Sequence, residues 1–118
     1  MTRLIAVFAL AMLSAASPAC AHAILERASP LVGSEVPAPP HEIALTFTEG
    51  VEPLFSTIEV RDPHGAVVAT GKPRTEAGNN RRLVVELPAL GSGTYTVTWH
   101  ATSVDTHKTE GSYRFIVK

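Results

Sequence analysis

The sequence is poor in sulfur, and the little it has lies near the amino terminus. Its single cysteine is Cys20, and its two methionines are Met1 and Met12. Small secreted domains are often held by disulfides, but one cysteine cannot form one within the chain, so we expect packing alone to stabilise the fold. Beyond position 20 there is also no thiolate or thioether, the soft ligands that retain Cu(I).

No apolar run is long enough to cross a bilayer, which takes about 20 residues. The longest covers residues 4–13, follows Arg3 and leads into small residues that end in Ala19-Cys20-Ala21. This arrangement is typical of a secretory signal peptide. We predict a signal peptide at 1–21 and one mature domain at 22–118. Two alternatives stay open: a retained anchor or buried helix, and a lipoprotein whose mature chain begins at Cys20.

Neither sign of charge is in excess or clustered. The chain has 10 Lys and Arg against 11 Asp and Glu, and loss of Arg3 with the signal peptide leaves a net charge near −2. This balance argues against nucleic acid or an acidic membrane surface as the partner. Removing the first 21 of the 118 residues leaves 97, enough for one small domain with a modest core.

Helical periodicity is missing from every stretch longer than a turn, whereas apolar and polar residues alternate nearly everywhere. In GTYTVTWHA, for example, Tyr95, Val97 and Trp99 fall on one side and threonines on the other. Such alternation predicts strands with one buried and one wet face. The seven predicted strands lie in AILERA, EIALTF, STIEV, AVVAT, RRLVVEL, GTYTVTWHA and GSYRFIVK. They predict an all-β, seven-stranded Greek-key β-sandwich of the immunoglobulin-like kind.

The segment LGSGTY has the spacing of a tyrosine corner, in which a tyrosine hydroxyl bonds back to upstream backbone. We predict this bond for Tyr95; the alternative is that Tyr95 is simply a core aromatic. With a corner here, residues 94–101 form the sixth strand (F) and 111–117 the seventh (G). The segment TSVDTHKTE is then the F–G loop, and EGVEPLF, after a strand at 42–48, is the B–C loop.

In such a sandwich the amino terminus, the B–C loop and the F–G loop lie at one end. We therefore expect chemistry-bearing side chains from three distant parts of the sequence to meet there. They are His22, Glu49, Glu52, Asp105 and His107.

These residues predict a site for one Cu(II) ion per chain. As the first mature residue, His22 would offer its amine and Nδ1, which close a six-membered chelate ring. Asp105 and His107, two residues apart, face the same way if the loop is extended. A tetragonal nitrogen and oxygen set suits Cu(II), at which divalent affinities peak. We expect binding to release protons, the affinity to fall below about pH 6, and the ion to loosen on reduction.

Two other classes of function stay open. A terminal histidine with a second histidine around copper is similar to the histidine brace of copper monooxygenases that cut polysaccharides. Here Asp105 would occupy an equatorial position that oxygen chemistry needs, so we predict that the protein is not an enzyme. The other alternative is an adhesive or structural sandwich without a metal, whose thermal stability copper would not raise.

Three segments, HAILERASPLVGSEV, LTFTEGVEP and YTVTWHATSVDTHKTEGSYRFIV, resemble the CopC family of periplasmic copper-binding proteins. The resemblance covers essentially the whole mature chain and implies a cupredoxin-like or immunoglobulin-like sandwich in the periplasm. It implies His22, Asp105 and His107 as the Cu(II) ligands, and Glu49 as an acid that orients a ligand by hydrogen bonding. The family pattern W-x-x-x-S-x-D-x-H-x-x-x-G stands here as Trp99, Ser103, Asp105, His107 and Gly111.

The resemblance also implies a role and a partner. Some family members carry a second, methionine-rich Cu(I) site, for which this sequence has no methionine after Met12. The implied role is capture, storage or delivery of Cu(II) in copper homeostasis and resistance, with a membrane copper transporter of the CopD type as partner. We expect a monomer, a solvated Glu52, an exposed His64 and a His41 that only begins a strand. For His100 we expect a surface role; the alternative is a place beside the metal ligands.

Overall fold

The computed structural model describes residues 22–69 and 71–118. The predicted signal peptide lies outside these residues. Nine β-strands and one 3₁₀ helix, Pro53–Phe55, make up the regular structure of the described residues. The strands are β1 (Leu25–Ser29), β2 (Glu35–Val36), β3 (Glu42–Phe47), β4 (Thr57–Arg61), β5 (Val67–Ala69), β6 (Arg74–Glu76), β7 (Asn79–Glu86), β8 (Gly93–Thr102) and β9 (Lys108–Val117). In this part of the chain we find no helix with the length and apolarity that a membrane span needs.

The strands form two sheets. One has the order β1-β3-β7-β6, and the other has the order β2-β9-β8-β4-β5. All pairs are antiparallel except β2 with β9, which run parallel. Apart from β2 and β5, this is the ABED and CFG arrangement of an immunoglobulin-like sandwich. The predicted all-β fold class is confirmed.

The predicted count of seven strands is too low, because β2 and β6 carry no alternating pattern. Strand β2 has only two residues, which pair with Ile116 and Val117 at the end of β9. Strand β6 reads Arg-Thr-Glu and forms the edge of its sheet. An edge strand that buries little needs no apolar side chains, so periodicity cannot reveal it.

The core lies between the two sheets and is built from the inward residues of the alternating strands. The largest side chains with almost no exposure include Phe47, Phe115, Ile43, Leu45, Ile58 and Leu83. Tyr95 stacks on Phe115 with ring centroids 5.4 Å apart. Its hydroxyl donates a hydrogen bond to the Gly91 carbonyl at 2.8 Å, so the predicted tyrosine corner is confirmed. This bond locks the entry of β8 at the end opposite the F–G turn.

The prediction of a nine-residue F–G loop is wrong. Strands β8 and β9 continue toward each other until Thr102 pairs with Lys108, so only residues 103–107 connect them. The predicted loop is what remains between the strands predicted at 94–101 and 111–117. Thr102 and Thr109 extend these strands instead, as suits β-branched threonine. Lower in the same hairpin, Trp99 lies opposite Gly111, and its six-membered ring occupies the space that a Cβ at position 111 would need.

Candidate metal centre

The F–G connection is a tight turn. The Ser103 N–H donates to the His107 carbonyl at 2.8 Å, and the Thr106 N–H donates to the Ser103 carbonyl at 2.9 Å. Thr106 adopts a left-handed φ of 74°, a conformation that β-branched residues rarely take. A turn closed by a left-handed residue is a common three-residue hairpin loop. Asp105 and His107 therefore sit in a rigid reversal of the chain, and the premise that the loop is extended is wrong.

Ser103 organises this turn from within. Its side chain is fully buried. Its hydroxyl accepts a hydrogen bond from the His107 N–H at 3.1 Å and donates one to Asp105 Oδ1. The carboxylate and the imidazole are thereby brought to the same side, with Asp105 Oδ2 at 3.3 Å from His107 Nδ1. The expected proximity of the two side chains is present, although a buried serine rather than strand periodicity produces it.

The environment keeps the Asp105 carboxyl ionised. The hydrogen bond from the Ser103 hydroxyl is the main cause that lowers the pKa of Asp105 below its ordinary value, and the neighbouring His107 imidazole lowers this pKa further. Desolvation acts in the opposite direction and is outweighed. Asp105 therefore presents a negatively charged oxygen beside the imidazole throughout the neutral pH range.

The segment that carries His22 is clamped beside this turn by two threonines. The Thr48 N–H donates to the Ile24 carbonyl at 2.9 Å, and the Ile24 N–H donates to Thr48 Oγ1 at 3.0 Å. The Thr48 hydroxyl in turn donates to the His22 carbonyl at 3.2 Å. From the other sheet, the Thr109 hydroxyl donates to the Ala23 carbonyl at 2.7 Å. With Ala23 fully buried, the backbone that carries His22 has little freedom.

The two clamped segments bring two imidazoles into contact. The rings of His22 and His107 meet edge to face, with centroids 5.1 Å apart and an interplanar angle of 64°. His22 is exposed and His107 is half-buried. His22, His107 and Asp105 thus form a chain of contacts between two segments that lie far apart in the sequence. In the described part of the chain, no three His, Cys, Asp or Glu side chains form a preassembled metal cluster; the donors are adjacent but do not converge on one point.

One atom of this site is suited to a metal ion. His107 Nδ1 is buried and has no hydrogen-bond partner, because its 3.3 Å approach to Asp105 Oδ2 lacks hydrogen-bond alignment. Buried polar atoms without partners are uncommon and costly. A cation held between this nitrogen and the carboxylate would satisfy both groups, so the residues present fit a metal of the nitrogen and oxygen class.

The B–C loop closes the same end of the sandwich. The Val104 N–H donates to the Gly50 carbonyl at 2.9 Å, and the Glu52 N–H donates to the Thr102 carbonyl at 2.8 Å. The expected meeting of the amino terminus with the two loops is confirmed. Among the described residues, the side chains of Glu49 and Glu52 form no hydrogen bond or ion pair, so the orienting role of Glu49 stays a prediction.

The other histidines lie away from this contact chain. His64 is exposed, as predicted, and His41 is also exposed and immediately precedes β3. His100 faces solvent from β8, with its Nε2 at 3.0 Å from Glu110 Oε2 and its Nδ1 at 3.5 Å from Thr57 Oγ1. Sequence reasoning missed the roles of Thr48 and Thr109, because the sequence around a threonine does not show which backbone group its hydroxyl will contact.

Comparison with known proteins gives a consistent result. A family model described as the CopC domain matches residues 25–118. Protein YobA of Escherichia coli (strain K12) is 41% identical over 99 residues, which cover 83% of this chain and 80% of that protein. Copper resistance protein C of Pseudomonas syringae pv. tomato is 35% identical over 130 residues, which cover 99% of this chain and 96% of that protein.

A solved structure agrees with these relatives. The crystal structure of CopC from Methylosinus trichosporium OB3b superposes with a TM-score of 0.79 at 37% sequence identity, covering 82% of this chain and 94% of that one. Both the sequence match and the shared sandwich extend over most of the described residues. The chain therefore belongs to the CopC family.

Proposed function

We propose that this protein binds one Cu(II) ion in the periplasm and serves copper homeostasis and resistance. The proposed ligands are the amine and Nδ1 of His22, the Asp105 carboxylate and the His107 imidazole. Residues 1–21 would be a signal peptide whose removal makes His22 the first residue. Copper is cargo in this proposal, so the protein is not expected to be an enzyme.

The observation that carries the proposal is the contact between the His22 and His107 rings beside the Asp105 carboxylate. Residues 22 and 107 are far apart in sequence, and a surface without function has no need to hold two imidazoles and an ionised acid together. The buried, unpartnered Nδ1 of His107 adds a lone pair that lacks a proton donor. The relative named copper resistance protein C supports copper as the metal.

Signal-peptide removal would supply the missing donor. In the full chain the His22 nitrogen belongs to the peptide bond with Ala21, and an amide nitrogen is a poor ligand. The bonds from Thr48 and Thr109 hold the carbonyls of His22 and Ala23. They do not involve residues 1–21, so cleavage should leave the imidazole where it is and free the amine to complete the chelate.

The ligand chemistry favours the oxidised ion. Residues 22–118 contain neither cysteine nor methionine, the side chains that best retain Cu(I). We therefore propose capture, storage or delivery of Cu(II), with a CopD-type membrane transporter as the receiving partner.

The test compares the mature protein beginning at His22 with a variant that has one extra alanine before His22. A control variant carries the extra alanine after Lys118. We expect Cu(II) affinity, measured by competition titration, to fall at least about 100-fold only in the amino-terminal variant, since it loses a ligand and one chelate ring. The electron paramagnetic resonance spectrum should also lose one nitrogen coupling. Equal affinities of the two variants would remove the amine from the site, and a secreted form that starts elsewhere would refute the cleavage.

A further inference from the structure

Two large apolar side chains project into solvent close to the candidate metal centre. Leu54 and Phe55, on the 3₁₀ helix of the B–C loop, are 79% and 71% exposed. These are the highest values among the large hydrophobic residues that the structure describes. Val104, at the tip of the F–G turn, is exposed as well. We call these three residues the apolar patch.

The exposure of the patch is imposed by the backbone. The Ser56 hydroxyl donates to the Glu52 carbonyl at 2.7 Å and accepts from the Thr102 N–H at 3.1 Å. The Thr102 hydroxyl donates to the Phe55 carbonyl at 2.8 Å. Two of these bonds fasten the helix to Thr102 at the end of β8, and the third closes the helix on itself. Rigid presentation of apolar side chains to water is unfavourable for an isolated protein and is typical of binding surfaces.

The patch is continuous with the metal centre. Val104 immediately precedes Asp105, and its N–H bonds to the Gly50 carbonyl of the B–C loop. Phe55 is fastened to Thr102, which pairs with Lys108, the neighbour of His107. Two hollows flank the patch along the sheet, one of about 470 Å³ beside Leu54 and one of about 390 Å³ beside Phe55. A partner could pack against the apolar side chains and place its own side chains in the two hollows.

On the side of the metal centre, the patch is flanked by acids without a lysine or arginine partner. Among the described residues, Glu49 and Glu52 of the B–C loop have no ion-pair partner, and Asp105 is ionised. Other acids near the hollows are paired, Glu59 with Arg61 and Glu110 with His100. Each hollow carries one lysine, Lys72 beside Leu54 and Lys108 beside Phe55. A protein face with lysine or arginine opposite the unpaired acids of the B–C loop and the turn would be attracted.

We propose that the apolar patch is the docking face for a copper-receiving protein, the CopD-type transporter, whose surface has an apolar centre and basic groups opposite Glu49, Glu52 and Asp105. The inference rests on the proposed function, because only transfer of a metal requires the receiver at this end of the sandwich. Docking here would place the receiver next to His107 and Asp105, so the ion would not have to pass through bulk water.

The test uses the mature protein and full-length CopD-type transporter in nanodiscs of zwitterionic lipid. The double variant Leu54→Ser with Phe55→Ser is compared with wild type and with Leu31→Ser, a control of similar exposure (65%) in a different loop. We expect the double variant to bind the transporter at least about tenfold more weakly and to transfer copper correspondingly slowly. Its Cu(II) affinity and melting temperature should equal those of wild type. Binding of wild type should also weaken with salt, and Glu52→Lys should weaken it further.

Several outcomes would overturn the docking face. These are no binding of wild type, unchanged binding of the double variant, an equal loss in Leu31→Ser, or equal binding to nanodiscs without transporter. Dimerisation of wild type that the double variant abolishes, without an effect on transporter binding, would assign the patch to a second copy. The proposed function fails separately if wild type binds no Cu(II) in direct titration, a measurement that needs no transporter.

Discussion

Two histidine–carboxylate pairs on the same hairpin have very different surroundings. At the turn, His107 lies beside Asp105, with its Nδ1 buried and without a hydrogen-bond partner. On the outer face of the sheet, His100 lies across from Glu110, and its Nε2 reaches the carboxylate at 3.0 Å. The second pair is the more exposed, at 59% and 74% of the side-chain area. Its two side chains already satisfy each other.

The difference shows what turns such a pair into a candidate metal centre. Both pairs offer an imidazole and an acid, so residue type does not separate them. Only His107 is met by a second imidazole, that of His22, which another strand brings to the turn. Only Asp105 is held by a buried hydroxyl. A third donor and a fixed geometry, supplied from elsewhere in the chain, distinguish the two pairs.

The largest expected effect comes from removing one histidine of each pair. We expect His107→Ala to weaken Cu(II) binding more than about 100-fold, which corresponds to more than about 2.7 kcal/mol, because it removes a ligand. His100→Ala should change the affinity less than about twofold. Competition titration of both variants with Cu(II) measures this directly. Equal losses in the two variants would show that the pairs do not differ in function.

Copper should also raise the thermal stability of the protein, and this effect should depend on the His107–Asp105 pair and not on the His100–Glu110 pair. Cu(II) at about 100 times its Kd raises the free energy of unfolding by about 2.7 kcal/mol. For a domain of this size, that predicts a melting temperature higher by on the order of 10–20 °C. Thermal melts with and without Cu(II), reversed by a chelator, should show the shift in wild type and His100→Ala but not in His107→Ala. A shift that survives His107→Ala would place the ion elsewhere.

Loss of the hydroxyl partner should matter for the His107–Asp105 pair but not for the His100–Glu110 pair. Ser103→Ala leaves the buried His107 N–H and one Asp105 oxygen without partners. We expect it to lower the free energy of unfolding by about 1–3 kcal/mol and to weaken copper binding about tenfold or more. Thr57→Ala removes only a 3.5 Å contact to exposed His100 and should leave both quantities unchanged. Chemical denaturation and Cu(II) titration test both variants; unaltered copper affinity in Ser103→Ala would contradict a positioning role.

The smallest expected effect is a change in proton binding in the absence of metal. The Ser103 hydroxyl is the main cause that lowers the pKa of Asp105 below its ordinary value of 3.8. A carboxyl with a lower pKa in the folded state stabilises the fold above the unfolded pKa, and that contribution is lost as pH falls through the folded value. We expect Ser103→Ala to raise the pKa of Asp105. The stability of the variant should therefore fall less than that of wild type as the pH drops below about 4. Titration of the Asp105 carboxyl by NMR measures the shift, and an identical pKa in both proteins would show that the hydrogen bond has no such effect.

Much of the scaffold was predictable because it depends on local periodicity. Alternation and apolar runs identified seven of the nine strands, and the strand predicted at 42–48 corresponds to β3, Glu42–Phe47, to within one residue. The spacing of LGSGTY identified the hydroxyl bond of Tyr95. Sandwich topology then implied that the amino terminus would meet the B–C and F–G loops, and the bonds of Thr48 and Gly50 show that it does.

The incorrect predictions share one physical cause: polar segments carry no hydrophobic periodicity from which a strand or a helix can be predicted. Strand β6 and the threonine-rich ends of β8 and β9 pair through backbone bonds that any side chain permits. The 3₁₀ helix at Pro53–Phe55 is held by Ser56, which follows it, and by Thr102 at the end of β8, and these two residues bond to each other. Such bonds depend on where the strands end, and no local signal encodes that.

The sequence by itself determined the class of fold and the inventory of donors, since alternating hydrophobicity selects strands and residue type selects the metals a side chain can bind. Only the tertiary structure decided which donors matter. It packed Ala23 into the core beside Thr109 and tightened the F–G connection around buried Ser103. In doing so it brought His22 to His107 and left His100 on the surface. Proximity between distant residues is a product of packing, and packing minimises exposed apolar area over the whole chain at once.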